Sequence, residues 1–189
     1  MNEFELKYML TKHQFRCLRE FIKNYFKYQY ERTKQINYYY DTQDRYYYRM
    51  NSTVRIREKD GVLFGTVKKH LSDSSHHSEE IPFEIDDIPL RLTYQGKTLK
   101  FMGELTTYRY KIPITSEVTL FLDKNHYWGK VDYEMEIEFK EDSFVEAWKT
   151  AVLMTTVLGR CFDPNQCFKT SISKYKRFFN CLPKNTEET

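Results

Sequence analysis

Alternation of apolar and polar residues with a period of two dominates the central part of the chain. Side chains of a strand point alternately to the two faces of a sheet, so this alternation predicts half-buried β-strands. Asp60-Gly61 is a favoured two-residue turn and predicts a hairpin of the third and fourth strands. About eight strands without regular helical crossovers favour an antiparallel sheet that is curved or closed. The predicted strands are Asn2–Met9, Gln35–Tyr40, Thr53–Glu58, Leu63–Lys69, Ser78–Ile85, Leu105–Ile112, Glu117–Asp123 and Val131–Phe139.

Two stretches of helical periodicity, each with a start signal, lie outside these strands. Thr11 and Gln14 have the spacing of a capping box, and apolar residues from Phe15 to Phe26 follow at helical spacing. Ser143 and Glu146 repeat that spacing before a second apolar series, for which Gly159 is a plausible stop. This second apolar series is Phe144, Ala147, Trp148, Ala151, Met154 and Leu158. A third, shorter helix is predicted over 171–179.

Length and composition predict one globular domain. The chain has 189 residues, 40% hydrophobic and 30% charged, and we assign residues 1–182 to one domain and the polar residues 183–189 to a disordered tail. No apolar run is long enough to span a bilayer, and acids stand where a signal peptide would be basic. We therefore expect a soluble cytoplasmic protein without a membrane partner. Its four cysteines form no CxxC pair and are expected to be reduced, namely Cys17, Cys161, Cys167 and Cys181.

Net charge and aromatic content do not indicate a nucleic-acid partner. Thirty basic and 27 acidic residues give a net charge of +3, which is too balanced for a nucleic-acid-binding domain. Tyr38–Tyr40 and Tyr46–Tyr48 could stack on bases, but no dense basic run accompanies them. We expect these tyrosines to pack in a core or a sheet wall.

Like charges repeat on one face of several predicted strands. A solvated outer face would explain any one such strand, but such faces usually mix both signs with neutral polar residues. Two carboxylates about 7 Å apart repel by about 0.6 kcal/mol in water and about 2.4 kcal/mol at a dielectric of 20. Strands that carry mainly acidic side chains beside strands that carry mainly basic ones suit a divalent cation bound to a polyanion, because carboxylates bind the cation and Arg and Lys bind phosphate oxygens. The charged sets are Glu3, Glu5 and Lys7 in the first strand, Arg55 and Arg57 in the third, and Glu134, Glu136 and Glu138 in the last.

A series of short motifs runs in order from residue 3 to about residue 177. The series is Glu3-Phe4-Glu5-Leu6-Lys7, Tyr40-Asp41-Thr42, Arg55-Ile56-Arg57, Thr66-Val67-Lys68, Arg109, Glu134-Met135-Glu136 and Lys174. In this order and strand parity, the chain resembles the CYTH family, the triphosphate tunnel metalloenzymes. Each motif alone is weak, and the ordered set is fairly specific.

The resemblance implies a fold and a function. The implied α+β fold is an eight-stranded antiparallel closed β-barrel with charged side chains in a hydrated tunnel and helices packed outside. The implied function is metal-dependent hydrolysis of a triphosphate compound, most simply inorganic tripolyphosphate, with Mg²⁺ or Mn²⁺. Adenylyl cyclase or thiamine triphosphatase activity on the same fold remains open, as does a non-catalytic module that binds polyphosphate or a nucleotide. A homodimer is an expectation from the family alone.

The resemblance also assigns candidate site residues. Glu5, Arg57 and Lys68 are the catalytic candidates, while Glu3, Glu5, Glu134 and Glu136 are the metal candidates. The phosphate-binding candidates are Lys7, Arg55, Arg57, Lys68, Arg109 and Lys174.

Several neighbouring positions stay open at this stage. The fifth strand lacks the arginine that the family usually shows there. Strand parity favours Glu80 over Glu79 as a tunnel residue, and family spacing favours Lys68 over Lys69. Glu138 shares the charged face of its strand but could pair with a base. Which of Lys174, Lys176 and Arg177 faces the tunnel is undecided.

Overall fold

The computed structural model describes residues 2–27, 29–71, 77–158 and 172–182, without the side chains of residues 2 and 3. The predictions for Gly159, Cys161, Cys167 and the tail 183–189 lie outside these ranges. Cys17 and Cys181 are free thiols, as expected. Within the described ranges, no helix is both long and apolar enough to cross a membrane.

The described strands form one antiparallel sheet in the order β2-β3-β4-β5-β1-β9-β8-β7-β6. A further pairing of β2 with β7 closes eight of them into a barrel, and β6 is appended to the first part of β7. The predicted closed eight-stranded barrel is therefore confirmed. The strands are β1 (Asn2–Leu10), β2 (Glu31–Asp41), β3 (Ser52–Lys59), β4 (Val62–His70), β5 (His77–Phe83), β6 (Arg91–Tyr94), β7 (Lys97–Pro113), β8 (Val118–Tyr127) and β9 (Lys130–Phe139).

Turn geometry explains one success and one failure of the strand prediction. Asp60 and Gly61 have φ of 53° and 77°, and they join β3 to β4 in the predicted hairpin. The sequence prediction missed β6 and the first part of β7, which form a second hairpin around Gln95 and Gly96. Gly103 interrupts the alternation inside β7, because its φ is 133° and a Cβ there would lie 2.8 Å from the Trp128 ring.

Of the two predicted capping boxes, the first is confirmed and the second is wrong. The Gln14 backbone N–H donates to Thr11 Oγ1 at 3.2 Å, and the Thr11 N–H donates to Gln14 Oε1 at 2.8 Å. Ser143 makes no such bond, because a 3₁₀ turn at Glu141–Ser143 already leads the chain into the helix. The described helices are α1 (Lys12–Tyr25), α2 (Tyr46–Arg49), α3 (Phe144–Val157) and α4 (Lys174–Phe179).

The main core lies between the outer face of the barrel and helices α1 and α3. Leu18 and Ile22 of α1 are fully buried there, and α3 contributes Ala147, Ala151 and Met154. Phe144, which the periodicity placed on the packed face of α3, is 49% exposed. The small residues of α3 let its backbone approach the barrel, so Phe144 at the first turn meets the core at its edge, where it contacts Phe139 and the Trp148 ring of its own helix.

The tyrosine clusters pack inside the protein, as predicted, since Tyr39, Tyr40 and Tyr47 are buried. The motif residue Asp41 is itself fully buried at the end of β2. Its carboxylate accepts the backbone N–H groups of Tyr47 and Tyr48 and the hydroxyl of Tyr175. Asp41 therefore ties both α2 and α4 to the barrel.

Helix α4 packs against inward-facing residues at one end of the barrel. Its aromatic side chains Tyr175, Phe178 and Phe179 form a buried cluster with Tyr39 and Leu105. The same helix brings Lys174 and Arg177 to the barrel interior. This placement depends on a tertiary contact that strand periodicity does not contain.

Candidate active site

Strand pairing aligns the inward-facing charges of neighbouring strands. Lys7 of β1 lies directly opposite Glu136 of β9, and Lys68 of β4 lies opposite Glu80 of β5. Across three strands, Arg109, Asp123 and Glu134 form one continuous row. Paired positions in an antiparallel sheet are about 5 Å apart at Cβ, so the register alone brings these side chains into contact.

One wall of the lumen is basic and carries Arg55, Arg57 and Lys68. Arg55 donates to Glu80 Oε1 at 2.7 Å, and Lys68 Nζ lies 3.9 Å from the same oxygen. Glu80 is thus lumenal, as parity indicated. Its neighbour Glu79 pairs with Lys69, and both of these side chains are more than 40% exposed.

Arg57 differs from the other lumenal cations that the structure describes. It donates to Asn37 Oδ1 at 3.1 Å, and no described carboxylate lies within 4.0 Å of it. Burial, followed by repulsion from Arg55 and Arg109, lowers the pKa of Arg57 to about 10. The Nδ2 atom of Asn37 is buried without a described hydrogen-bond partner. This part of the lumen therefore presents donors that are in contact with no carboxylate of the described residues.

The opposite wall is acidic and contains two groups of three carboxylates. Ligand oxygens lie within 4.8 Å of one another in the group Glu5, Glu136 and Glu138, and also in the group Asp123, Glu134 and Glu136. Except for Glu138, which is partly buried, these side chains are buried. Glu136 belongs to both groups and so links them.

Lysine ammonium groups stand among these carboxylates. Lys7 Nζ lies 2.9 Å from both Glu5 and Glu136. Lys174 Nζ lies 2.9 Å from Asp123, 2.5 Å from Glu134 and 2.9 Å from Glu136. Among Lys174, Lys176 and Arg177, Lys174 therefore reaches furthest into the acidic wall.

The cations keep the buried acids ionised. Burial favours the neutral acid, but the charges of Lys174 and Arg177 outweigh it and lower the pKa of Glu134 to about 2. The pKa of Glu136 is held well below its usual range, since Lys174 and Lys7 outweigh its burial. Both groups are therefore carboxylates at neutral pH.

This donor set fits a divalent cation. Clustered carboxylate oxygens are the ligands that Mg²⁺ and Mn²⁺ prefer. The Lys174 ammonium group already lies within 2.9 Å of three of these carboxylates, which shows that the group accepts a cation. The predicted ligands Glu5, Glu134 and Glu136 meet here. The side chain of the fourth, Glu3, lies outside the described atoms.

Sequence reasoning missed three residues of this lumen, Asn37, Asp123 and Asp132, and left open whether Arg177 faces it. Asp123 accepts two hydrogen bonds from Arg109, and Arg177 pairs with both Asp132 and Glu134. Strand parity could have found Asp132, which shares a face with Glu134, and Asp123, which is the last residue of a predicted alternating strand. Arg177 carries no such signal, because the position of its helix is set by packing.

Paired side chains leave little free space in the lumen. The cavity measures about 60 Å³ and is lined by residues from both walls, including Glu5, Arg57 and Glu136, and by His70.

Comparison with known proteins identifies relatives of this architecture. The model of the family described as "CYTH domain" matches residues 1–158. "Putative triphosphatase YjbK" of Bacillus subtilis (strain 168) is 28% identical over 149 residues, which are 72% of this chain and 76% of that protein.

Solved structures show the same fold at lower identity. A structure described as a putative adenylate cyclase from Bacillus halodurans superimposes with a TM-score of 0.66 at 22% identity, covering 94% of this chain and 97% of that one. HpAC1 from Hippeastrum, described as a putative adenylyl cyclase with a dominant triphosphatase activity, gives a TM-score of 0.69 at 19% identity, covering 99% of this chain and 100% of that one.

Proposed function

Because the chain belongs to the CYTH family, we propose that it is a metal-dependent triphosphatase that hydrolyses inorganic tripolyphosphate or a related triphosphate in its barrel lumen. The observation that carries the proposal is the division of the lumen into two walls. Arg57, a cation without a described carboxylate partner, faces a cavity whose other side holds two linked groups of carboxylates. A polyanion carrying a divalent cation complements both walls at once.

The basic wall is proposed to bind the phosphate oxygens. Arg55 and Arg57 offer planar pairs of donors to phosphate, and Lys68 adds a point charge beside them. Arg55 and Lys68 share Glu80 when no anion is present, and both can exchange that carboxylate for a substrate. Arg57 needs no such exchange, and we expect it to bind the anion first.

The remaining cations are proposed to bind the substrate nearer the acidic wall. Arg109 is held by Asp123 and Glu136, with its guanidinium 4.1 Å from the Phe121 ring centroid. Lys7 also pairs with Glu136, and Lys174 pairs with both Glu136 and Asp123. These three residues place positive charge next to the cation site, where the leaving phosphate chain needs it.

The acidic wall is proposed to hold one or two Mg²⁺ or Mn²⁺ ions through Glu5, Glu134 and Glu136, with Glu3 as a further candidate from the family motif. When bound, such an ion neutralises phosphate charge, polarises the phosphoryl group and activates water. Glu138 and Asp123 extend the two carboxylate groups and are added as candidate ligands.

Hydrolysis then follows the usual course of phosphoryl transfer. The oxygen of a water molecule attacks the terminal phosphorus, the bridging P–O bond breaks, and its electron pair leaves with pyrophosphate. One proton of that water ends on each product. Glu5 touches Lys7 and lies 4.0 Å from Lys68, at the border of the two walls, where it can accept a hydrogen bond from the attacking water.

The names of relatives support this reaction class. The B. subtilis relative is named as a triphosphatase, and the Hippeastrum protein, although named as a cyclase, is credited with a dominant triphosphatase activity. Cyclisation of ATP is therefore the alternative reaction to assay in parallel.

Variants of the acidic wall test the proposal. Glu136→Gln keeps the shape of the side chain but removes the charge shared by both carboxylate groups. We expect its kcat/KM for tripolyphosphate with Mg²⁺ or Mn²⁺ to fall by at least roughly 10–100-fold, since loss of a residue that only orients a metal ligand already costs about that much in affinity or activity. Glu117→Gln, at an exposed glutamate that pairs with Lys140, is the matched control and should keep full activity.

Two outcomes would contradict the proposal. Turnover by Glu136→Gln equal to that of the unchanged protein would remove this carboxylate from the site. Calorimetric binding of tripolyphosphate without phosphate release under either metal would show a binding module instead of an enzyme.

A further inference from the structure

A second cavity lies on the outer face of the barrel, between α1 and strands β2, β7 and β8. Its volume is about 460 Å³, within the range of small-molecule sites. We call it the outer groove. It is lined chiefly by Arg19, Arg32, Lys34, Tyr108, Tyr110 and Lys124.

The sheet register builds an ordered row in this groove. Tyr108 of β7 lies directly opposite Lys34 of β2 on one side and Lys124 of β8 on the other. Neighbouring strands are about 4.8 Å apart, so the two lysine positions are about 10 Å apart with an aromatic ring between them. In the next row Arg32 lies opposite Tyr110, and its guanidinium is 5.6 Å from the centroid of that ring.

Three cations of the outer groove have no carboxylate partner among the described residues. None of Arg32, Lys34 and Lys124 has a carboxylate within 4.0 Å in the part of the chain that the structure describes. Some lysines elsewhere have such partners, for example Lys111 with Glu31. Arg19, at the edge of the groove, is already paired with Glu20. The groove therefore concentrates three positive charges, and none of the residues that line it is acidic.

The aromatic wall is available to a ligand. Tyr108 is 46% exposed, and its described ring contact is an edge-on one with His126 at 5.5 Å. A flat ring can stack on the exposed part of this side chain, because every nucleic-acid base has a π-face that packs on an aromatic ring. Lysines on both sides of the ring would then bind phosphate groups attached to the stacked ligand.

We propose that the outer groove binds a nucleotide, with the base stacked on Tyr108 and a short phosphate chain held by Arg32, Lys34 and Lys124. Aromatic walls and unpaired cations together select a ligand that carries both an aromatic ring and phosphate. Lys34 and Tyr108 face outward, whereas their neighbours Gln35 and Thr107 are buried and face inward. Arg109 lines both cavities, but its guanidinium is paired with Asp123 and Glu136 in the lumen, so the outer groove is built by the outward-facing side chains. It therefore does not depend on the proposed triphosphatase activity.

Calorimetric titration with ADP in the presence of a chelator tests the proposal. ADP is not a triphosphate, and the chelator removes the ions that the lumen would need. We expect Lys34→Ala/Lys124→Ala and Tyr108→Ala each to weaken ADP binding at least tenfold. The charge-matched control Lys140→Ala/Lys149→Ala removes two exposed lysines elsewhere and should bind ADP unchanged.

Further arms identify the site and the ligand chemistry. Arg57→Gln, a lumen variant, should bind ADP as the unchanged protein does, and the groove variants should retain tripolyphosphate turnover. Adenosine and pyrophosphate, which each lack one half of the ligand, should bind at least tenfold more weakly than ADP. Tyr108→Phe keeps the ring and should restore binding, which separates stacking from a general loss of structure.

Three results would overturn the proposal. ADP binding that is lost in Arg57→Gln and kept in the groove variants would place the nucleotide in the lumen. Pyrophosphate that binds as tightly as ADP would show an anion site without base recognition. No ADP binding by the unchanged protein at millimolar concentration would rule out the site.

Discussion

Replacing Arg57 by glutamine should stabilise the protein while destroying its affinity for triphosphate. Arg57 is the lumenal arginine without a described carboxylate partner, and the fall of its pKa from 12.5 to about 10 measures the cost of keeping it charged there. At 1.36 kcal/mol for each pH unit, that cost is about 3 kcal/mol. The hydrogen bond to Asn37 offsets about 1 kcal/mol. Arg57→Gln should therefore raise the free energy of unfolding by about 2 kcal/mol.

Arg109→Gln is the matched comparison and should change stability in the opposite direction. Arg109 is bonded to Asp123 and Glu136, so its removal leaves two buried carboxylates with one partner fewer. Breaking a buried pair in this way costs about 3–5 kcal/mol. Two arginine-to-glutamine mutations in the same lumen are thus expected to change the free energy of unfolding in opposite directions.

Urea unfolding of metal-free protein at pH 7 measures both effects. In thermal unfolding, a gain of 2 kcal/mol in the free energy of unfolding raises the Tm of a domain of this size by about 4–8 °C. Tripolyphosphate should raise the Tm of the unchanged protein and leave that of Arg57→Gln in place. Destabilisation of Arg57→Gln as large as that of Arg109→Gln would refute the claim that Arg57 is an uncompensated charge kept for a ligand.

Three further variants test other parts of the structure. Burial and the neighbouring Lys68 lower the pKa of His70 from 6.5 to about 4, so between these pH values the folded state binds fewer protons than the unfolded state, and the free energy of unfolding falls by about 3 kcal/mol as the pH drops from 6.5 to 4. Urea unfolding at pH 7 and pH 4.5 should therefore show a smaller loss of stability for His70→Gln than for the unchanged protein. Equal losses would contradict this. Lys174→Met leaves three carboxylates without their shared ammonium group and should lower the free energy of unfolding by about 3–5 kcal/mol. Mg²⁺ or Mn²⁺ should raise the Tm of this variant by more than it raises the Tm of the unchanged protein. Equal increases in Tm would argue against the ammonium group and the metal ion binding to the same carboxylates. Gly65→Ala would place a Cβ 2.5 Å from the carbonyl oxygen of Phe83. Chemical denaturation should therefore show a free energy of unfolding lower by about 1–3 kcal/mol or more. An unchanged free energy of unfolding would mean that β5 can shift without cost.

Lumenal residues on strands are predictable because a strand has a period of two residues. Parity along the chain is enough to put Glu5 with Lys7, Arg55 with Arg57, and Glu134 with Glu136 on a common face. Closure of the sheet is not contained in that parity and was expected only from the family resemblance. The pairing of β2 with β7, at long sequence separation, is the contact that closes the barrel.

The parts that could not be predicted depend on tertiary packing. Six residues of α4 have too little periodicity to show which side faces the barrel, so the sequence does not reveal that Arg177 contacts Asp132 and Glu134. In β7, the positive φ of Gly103 breaks the alternation and obscures the first part of the strand. The solvent exposure of Phe144 arises because the small residues of α3, and not its aromatic ones, set the distance to the barrel.

The most direct test of the account is ³¹P NMR of tripolyphosphate incubated with the unchanged protein, with Mg²⁺ or Mn²⁺ and then with excess chelator, beside a matched sample of ATP. A metal-dependent triphosphatase should give orthophosphate and pyrophosphate in equal amounts from tripolyphosphate, no products after chelation, and no cyclic AMP from ATP. Intact tripolyphosphate under every condition, or turnover that the chelator leaves unchanged, would contradict it.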